Sequence, residues 1–135
     1  LPQERHRDIT QTQAFLARLL DEEKNGLGYV WKIVDTADPE EKVIGLMDVM
    51  GITRSSHTGS LAYVTKRNCW GRGIGTEAAR ACVDFAREDL QIRKLVALIM
   101  PENIGSIRIA EKLSMTRGPL IHIFDVDAFQ YEMML

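Results

Sequence analysis

Three glycines stand in five positions, Gly71, Gly73 and Gly75, within the stretch CWGRGIGTE at residues 69–77. Glycine there costs conformational entropy and gives nothing to a core, so something has to approach that backbone closely. A strand, a glycine-rich turn and a helix in that order make an anion site. The N–H groups of the turn point inward unpaired, and the helix N-terminus adds roughly half a positive charge. Gly71, Arg72, Gly73, Ile74, Gly75 and Thr76 would supply the donors, and the Arg72 side chain can face a phosphate directly. The plain alternative is a tight turn with no ligand, and three glycines exceed what such a turn needs. A Walker loop requires Gly-Lys-Ser/Thr, which is absent. A dinucleotide fingerprint requires G-x-G-x-x-G with an acidic residue about 20 positions on. Here the spacing is G-x-G-x-G, and Glu102 falls a few residues too late, which disfavours a nucleotide or flavin site.

The elements that must hold this turn follow from periodicity. TQTQ, from Thr10 to Gln13, predicts a capping box with Thr10 as cap, and Phe15, Leu16, Leu19 and Leu20 then share one helical face. Lys24 to Gly26 ends that helix. YVWKIVDT, from Tyr29, reads as a strand, ADPEE as a turn around Pro39, and KVIGLMDVM, from Lys42, as the antiparallel return strand. Gly51 to Gly59 reads as a loop. SLAYVT, from Ser60, is a strand that runs into the glycines. Thr76 to Asp89 is the clearest helix, with Ala78, Cys82, Phe85 and Ala86 as its apolar stripe. The apolar run from Arg93 to Met100 suits a strand covered on both faces, closed by Pro101. NIGSIRIAEKL is a short helix capped by Asn103. PLIHIFDVDAFQYEMML reads as two strands around a turn near Asp125 to Asp127. The order predicts a mixed α/β domain, antiparallel at the front, with a crossover in the middle.

Composition bounds what such a domain does. A length of 135 residues predicts one domain, 1–135, large enough to bury a core without metal or disulfide staples. Apolar residues make up 45% and charged residues 27%, as in soluble globular proteins. A formal charge of -2 argues against duplex nucleic acid as a partner. Cys69 and Cys82 lack metal-ligand spacing and form no disulfide framework, so no metal is expected and both read as small core residues of a reducing compartment. No stretch is long and apolar enough to span a bilayer. The opening LPQERHRDITQ has no apolar central region, so no signal peptide or membrane partner is expected and the cytoplasm is the expected compartment.

With those residues in view, WGRGIGTEA resembles motif A of the Gcn5-related N-acetyltransferases, the GNAT family, whose turn holds the pyrophosphate of acetyl-CoA. The family pattern is Gln/Arg-x-x-Gly-x-Gly/Ala; Trp70 stands where Gln or Arg is usual, and Gly73 and Gly75 follow. The form Trp-Gly-x-Gly-x-x-Thr-Glu-Ala is similar to the branch typified by bacterial ribosomal-protein N-terminal acetyltransferases. NIGSIRIAEKLSM resembles motif B, Asn-x-x-Ala/Ser-x-x-Leu-Tyr-x-Lys-x-Gly-Phe, with Asn103, Ser106, Ile109, Lys112 and Met115 at its positions. The family's tyrosine, its usual general acid, is Ala110 here, a loss common in the ribosomal branch, and the glycine is Ser114. The resemblance covers Gly28 to Met115 well and the C-terminal hairpin loosely. It implies an α/β (α+β) acyl-CoA N-acyltransferase fold, a mixed and mostly antiparallel sheet flanked by helices. The family opens with a strand and a helix before the segment that Thr10 begins, so the expectation is a domain N-terminally incomplete relative to the family.

The resemblance also implies a reaction, direct attack of an amine on the thioester of acetyl-CoA. A protein N-terminus is the leading acceptor, with an amino sugar, polyamine or antibiotic open. Few acidic residues group where a polycation would sit, which counts against polyamines. A backbone N–H among Tyr63, Val64 and Thr65 would hold the thioester carbonyl, where charge develops. An α-amine titrates near pH 8, so a weak base suffices to neutralise it. The candidates are Asp48, His57 and Glu77. Against these stand a solvent-facing Asp48, a surface His57, and a Glu77 that merely complements the helix dipole. Ser106 would protonate the leaving thiolate, or instead bond its own backbone. Asn103 would meet the pantetheine arm, cap its helix, or do both. Arg108 and Lys112 face the ribose phosphate or simply solvent. Trp31 and Met47 to Ile52 line the acceptor side or serve ordinary sheet packing. The reading from another class is a non-catalytic acyl-CoA-binding or sensor module, which Ala110 favours. An exposed sheet edge could serve a homodimer.

Overall fold

The computed structural model describes residues 8–135. The polar opening read as lacking a leader's apolar region falls largely on residues 1–7, outside the described residues. Asp8, not Thr10, caps the first helix, α1 (Ile9–Lys24), its carboxylate accepting from the Gln11 N–H at 3.0 Å. Asp outranks Thr as a cap and stands one residue before the helix, which leaves Thr10 inside it. The sheet-facing stripe is Thr12, Phe15, Leu19 and Glu22, all half-buried, while Leu16 and Leu20 are 50% and 67% exposed. Apolar type alone misplaced that face; the stripe follows the i, i+3, i+7 rows. Asn25 caps the C-terminal end, and Gly26, at φ 70°, follows it.

β1 (Tyr29–Val34) and β2 (Val43–Thr53) form the expected antiparallel hairpin, and β2 pairs antiparallel with β3 (Thr58–Thr65). The loop expected over Gly51 to Gly59 shrinks to residues 54–57. A register shift after Met50 resets the alternation, so that Ile52 turns into the core and the ladder continues to Thr53. A one-turn 3-10 helix, Arg67–Cys69, leads to α2 (Ile74–Glu88). That helix starts two residues earlier than Thr76, because Gly73 caps it in the left-handed region at φ 76°. Thr76, Ala79, Cys82, Val83 and Ala86 are its buried residues; Ala78 and Phe85 sit at the stripe's edge, half-buried.

β4 (Lys94–Ile99) runs parallel to β3, and α3 (Ile104–Lys112) follows it with Asn103 as cap, its Oδ1 accepting from the Ser106 N–H at 3.2 Å. Leu95, Ala97 and Ile99 of β4 are buried and the alternate residues are half-buried. The expected cover on both faces is incomplete because the strand borders an open cleft. β5 (Thr116–Ile123) and β6 (Val126–Met134) close the chain as a hairpin. Phe124 and Asp125, at φ 51° and 61°, make its turn, and Asp127 already belongs to β6.

Among the described residues the sheet order is β1-β2-β3-β4-β6-β5, with β3–β4 its one parallel pair, so the fold is the mixed, mostly antiparallel α/β architecture flanked by helices. Met47, Val49, Leu61, Leu95 and Tyr131 of the sheet form the core with Ala79, Val83 and Ala86 of α2. Cys69 and Cys82 are buried and free. Among the described residues no helix is long and apolar enough to cross a membrane, and no group of side chains is arranged to hold a metal.

Candidate functional site

The parallel pairing of β3 and β4 spans only Thr58 to Ser60 against Lys94 to Val96. Past Ser60 the strands part, and residues 61–65 of β3 keep β2 on one side and face a gap on the other. The Lys66 N–H donates to Ile44 at 2.8 Å. Antiparallel strands alternate, so the N–H groups of Val64 and Ala62 also point to β2, while those of Tyr63 and Thr65 point into the gap. Tyr63 and Thr65 are therefore the available donors, and Val64 is spent on the ladder.

A cavity of about 280 Å³ fills this gap. Its walls include Asp48 of β2, Tyr63 of β3, Ala97 to Met100 of β4, and Asn103 and Ser106 at the start of α3. Phe15 and Leu19 of α1 cover it from the far face of the sheet. Burial pushes the Asp48 carboxyl up from its ordinary 3.8 to about 6, and the nearby Glu22 carboxylate adds to the rise. A carboxylate of that strength is a base at neutral pH. The Tyr63 hydroxyl donates to the Ser106 carbonyl at 2.8 Å and so ties β3 to α3.

Beyond the gap lies the glycine turn. Among the described residues no group accepts from the N–H groups of Gly71 through Thr76, and the first N–H of α2 with a partner is that of Glu77, which donates to Gly73 at 3.0 Å. Six consecutive donors at the positive end of a 15-residue helix suit a diphosphate. The three glycines serve two different ends. Gly71 and Gly73 both take φ 76°, with open space where a side chain would project. Gly75 lies within α2, and a Cβ there would meet Ile109 Cδ1 at 2.7 Å, so it sets how closely α2 and α3 pack. Trp70 braces the turn: its indole N–H donates to the Thr65 carbonyl at 3.1 Å, and the Arg67 guanidinium lies 5.6 Å from its ring.

A larger cavity, about 530 Å³, lies across the sheet between the β1–β2 hairpin and α2. It receives Glu77, Arg72, Trp31, Met47 and Cys82. Glu77 is thus not brought to Asp48. The Trp31 ring packs edge-on against Phe85 at 5.4 Å and Met47 is buried, so both take part in the packing of the sheet against α2 while they border this cavity. Arg72 makes a long, exposed pair with Asp35 at 3.9 Å, too loose to hold it. Burial pushes the Cys82 thiol up to about 12, which leaves it protonated and unreactive.

His57 is not brought to the cleft either. It sits at φ 53°, its carbonyl accepting from Arg93 and Lys94 where β3 and β4 still pair. Six residues of strand separate it from Tyr63, about 20 Å. Arg108 and Lys112 lie exposed on α3. Two contributors escaped the sequence. Glu22 follows Thr12, Phe15 and Leu19 at helical spacing, a signal hidden by reading only apolar positions. The reach of the Tyr63 hydroxyl to Ser106, 43 residues away, left no local signal.

A model of the acetyltransferase (GNAT) domain matches residues 1–116. The probable N-acetyltransferase YjcK of Bacillus subtilis is 35% identical over 74 residues, a match that covers 54% of this chain and 41% of YjcK. The structure of the ribosomal-protein-S5-alanine acetyltransferase from Vibrio fischeri superposes with a TM-score of 0.83 at 21% identity, covering 98% of this chain and 78% of that one. A chimera of the spermidine N-acetyltransferase SpeG from Vibrio cholerae reaches 0.82 at 12% identity, covering 99% and 81%. At such identities the structural likeness is one of fold.

Proposed function

The chain belongs to the GNAT acetyltransferase family, and from that premise we propose that it moves the acetyl group of acetyl-CoA directly to a primary amine. One observation carries the reading: β3 parts from β4 and leads into the unpaired N–H groups at residues 71–76, and the raised carboxyl of Asp48 lines the cavity in the gap between those strands. Gly71, Arg72, Gly73, Ile74, Gly75 and Thr76 would grip the diphosphate. The pantetheine arm would pass Asn103 into the gap, where the Tyr63 and Thr65 N–H groups hold the thioester oxygen. That oxygen gains charge as the amine attacks, so donors fixed on a strand stabilise the transition state more than the ground state.

Asp48 would take the first proton from the incoming ammonium. An α-amine titrates near 8 and a lysine amine near 10.4. A base at about 6 is therefore better matched to the former, and a protein N-terminus is the leading acceptor. The fold shared with an enzyme named for ribosomal protein S5 is in keeping with that choice. Glu22 favours a second acceptor. It stands half-buried on the sheet-facing stripe of α1 and acts electrostatically on Asp48. A carboxylate on the cleft wall with a second one near enough to act on it suits a small amine with a second positive charge, against the expectation from sequence that few acidic residues group there.

Release of free thiol from acetyl-CoA, followed with an alanine-initiated peptide and with spermidine, tests both readings. Turnover on the peptide that survives Glu22→Gln supports the N-terminal acceptor. Turnover on spermidine that falls tenfold or more in kcat/KM with the same change supports the dicationic amine. Coenzyme A binding without thiol release on any amine would leave a non-catalytic binding module instead.

A further inference from the structure

An ammonium acceptor gives up two protons on the way to an amide, and Asp48 accounts for one. The second must end on the departing sulfur. Among the described residues that line the cleft, only Tyr63 and Ser106 carry a hydroxyl. The thiol of Cys82 lies in the cavity across the sheet. Of the two hydroxyls the phenol is much the stronger acid, since a phenol titrates near 10 and an alcohol far higher. Its placement fits the task as well. The hydroxyl reaches from β3 to the Ser106 carbonyl at 2.8 Å, which puts it on the first turn of α3 and beside the strand whose N–H groups face the gap. That carbonyl belongs to the residue one helical turn before Ala110, whose methyl is wholly buried and offers no proton. The phenol thus arrives from the strand at a helix that has no acid of its own.

We propose that the Tyr63 hydroxyl delivers the proton to the coenzyme A sulfur, a role that rests on the acetyltransferase reading above. The N–C bond forms, and the nitrogen, already relieved of one proton by Asp48, carries one in surplus. As the C–S bond breaks, the phenol gives its hydrogen to sulfur and the phenolate oxygen takes the surplus proton from nitrogen, directly or through a water. Nothing is oxidised or reduced, and Tyr63 ends as it began. Burial, only partly offset by the Ser106 bond, holds the phenol up at about 12, so it is in its acid form throughout the working range. A phenol that weak does not protonate a free thiolate, and the relay from nitrogen is what completes the transfer.

Tyr63→Phe removes the oxygen and keeps the ring. The proposal predicts that kcat falls 10²-fold or more, while KM for acetyl-CoA and the affinity for free coenzyme A stay within threefold and Tm changes by only a few degrees. Ser106→Ala keeps the carbonyl to which Tyr63 donates and should lose far less of kcat than Tyr63→Phe does. Placing 2,3,5-trifluorotyrosine at position 63 keeps the ring and the hydroxyl but strengthens the acid far more than a single fluorine does, and should bring a basic limb of kcat into the working pH range, where the unaltered protein has none from this group; this variant decides the matter if Tyr63→Phe does not fold. The role is overturned if Tyr63→Phe keeps more than a fifth of kcat, if its loss follows weaker coenzyme A binding, if Ser106→Ala loses as much, or if fluorination leaves the profile in place. Absence of thiol release by the unaltered protein overturns the acetyltransferase reading itself; turnover unimpaired in Tyr63→Phe overturns the tyrosine alone.

Discussion

Asp48 shows how one residue's surroundings can serve chemistry at the expense of stability. Its carboxyl is raised from 3.8 to about 6 chiefly because burial disfavours the charged form. A raised acid binds its proton more tightly in the folded state, so its favourable contribution is fully present below about pH 4 and lost as pH climbs through 6. At neutral pH the buried charge therefore destabilises the fold, by roughly 2 kcal/mol after allowance for partial exposure. Asp48→Asn keeps the shape and removes the charge. Thermal unfolding at pH 8 should show Tm higher by about 7 °C, a gain that vanishes at pH 4. The same variant should lose about 10²-fold in kcat, and with it the acidic limb near pH 6 of the wild-type profile. A variant that gains stability but keeps full activity would remove Asp48 from the reaction and leave it a strained wall residue.

At the scale of elements, the glycine turn separates backbone need from ligand need. Gly73→Ala places a Cβ in open space but at φ 76°, a strain of about 1 kcal/mol, and it intrudes where the diphosphate would lie. Gly75→Ala instead presses on Ile109 Cδ1, which also costs about 1 kcal/mol, away from the donors. Unfolding should show similar losses for the two variants, whereas KM for acetyl-CoA should rise tenfold or more only for Gly73→Ala. Equal KM values would mean that the turn grips nothing. Both this turn and the Asn103 cap were legible in the sequence because their meaning is local: spacing, a cap and a left-handed residue are decided within a few positions. The α1 cap was misplaced because two good capping residues, Asp8 and Thr10, compete across a single turn. The buried face of α1 was misread because Glu22, a charged residue, completes the inward stripe. That Val64 turns its N–H to β2 while Tyr63 and Thr65 face the gap depends on strand register, which no stretch of β3 encodes alone. Asp48's depth and the Tyr63–Ser106 bond depend on which distant elements meet, and so were legible as residue types but not as a site.

At the scale of the whole molecule, the sheet is joined at its middle by its weakest seam. β3 and β4 share three register positions, whereas β2 pairs with β3, and β4 with β6, along most of their lengths. The two halves of the sheet, β1–β3 and β4–β6, are thus held together by a short parallel ladder, by α2 packed across it, and by the Tyr63 hydroxyl on α3. A ligand that enters the seam and bonds to β3, the α2 turn and α3 at once would supply cohesion that the sheet lacks, and would bind the folded state only. At a concentration a hundred times its Kd, such a ligand adds about 2.7 kcal/mol, or about 10 °C in Tm for a chain of this size. Coenzyme A should produce that rise, and the amides of residues 61–65 and 71–76 should together exchange more slowly with solvent. ADP, which offers a diphosphate but no arm for the gap, should raise Tm by only a few degrees at the same concentration and protect residues 71–76 alone. If ADP protects as well as coenzyme A does, with no slowing at residues 61–65, then the opening between β3 and β4 is a packing consequence of the splayed strands and not the channel through which the thioester reaches Asp48.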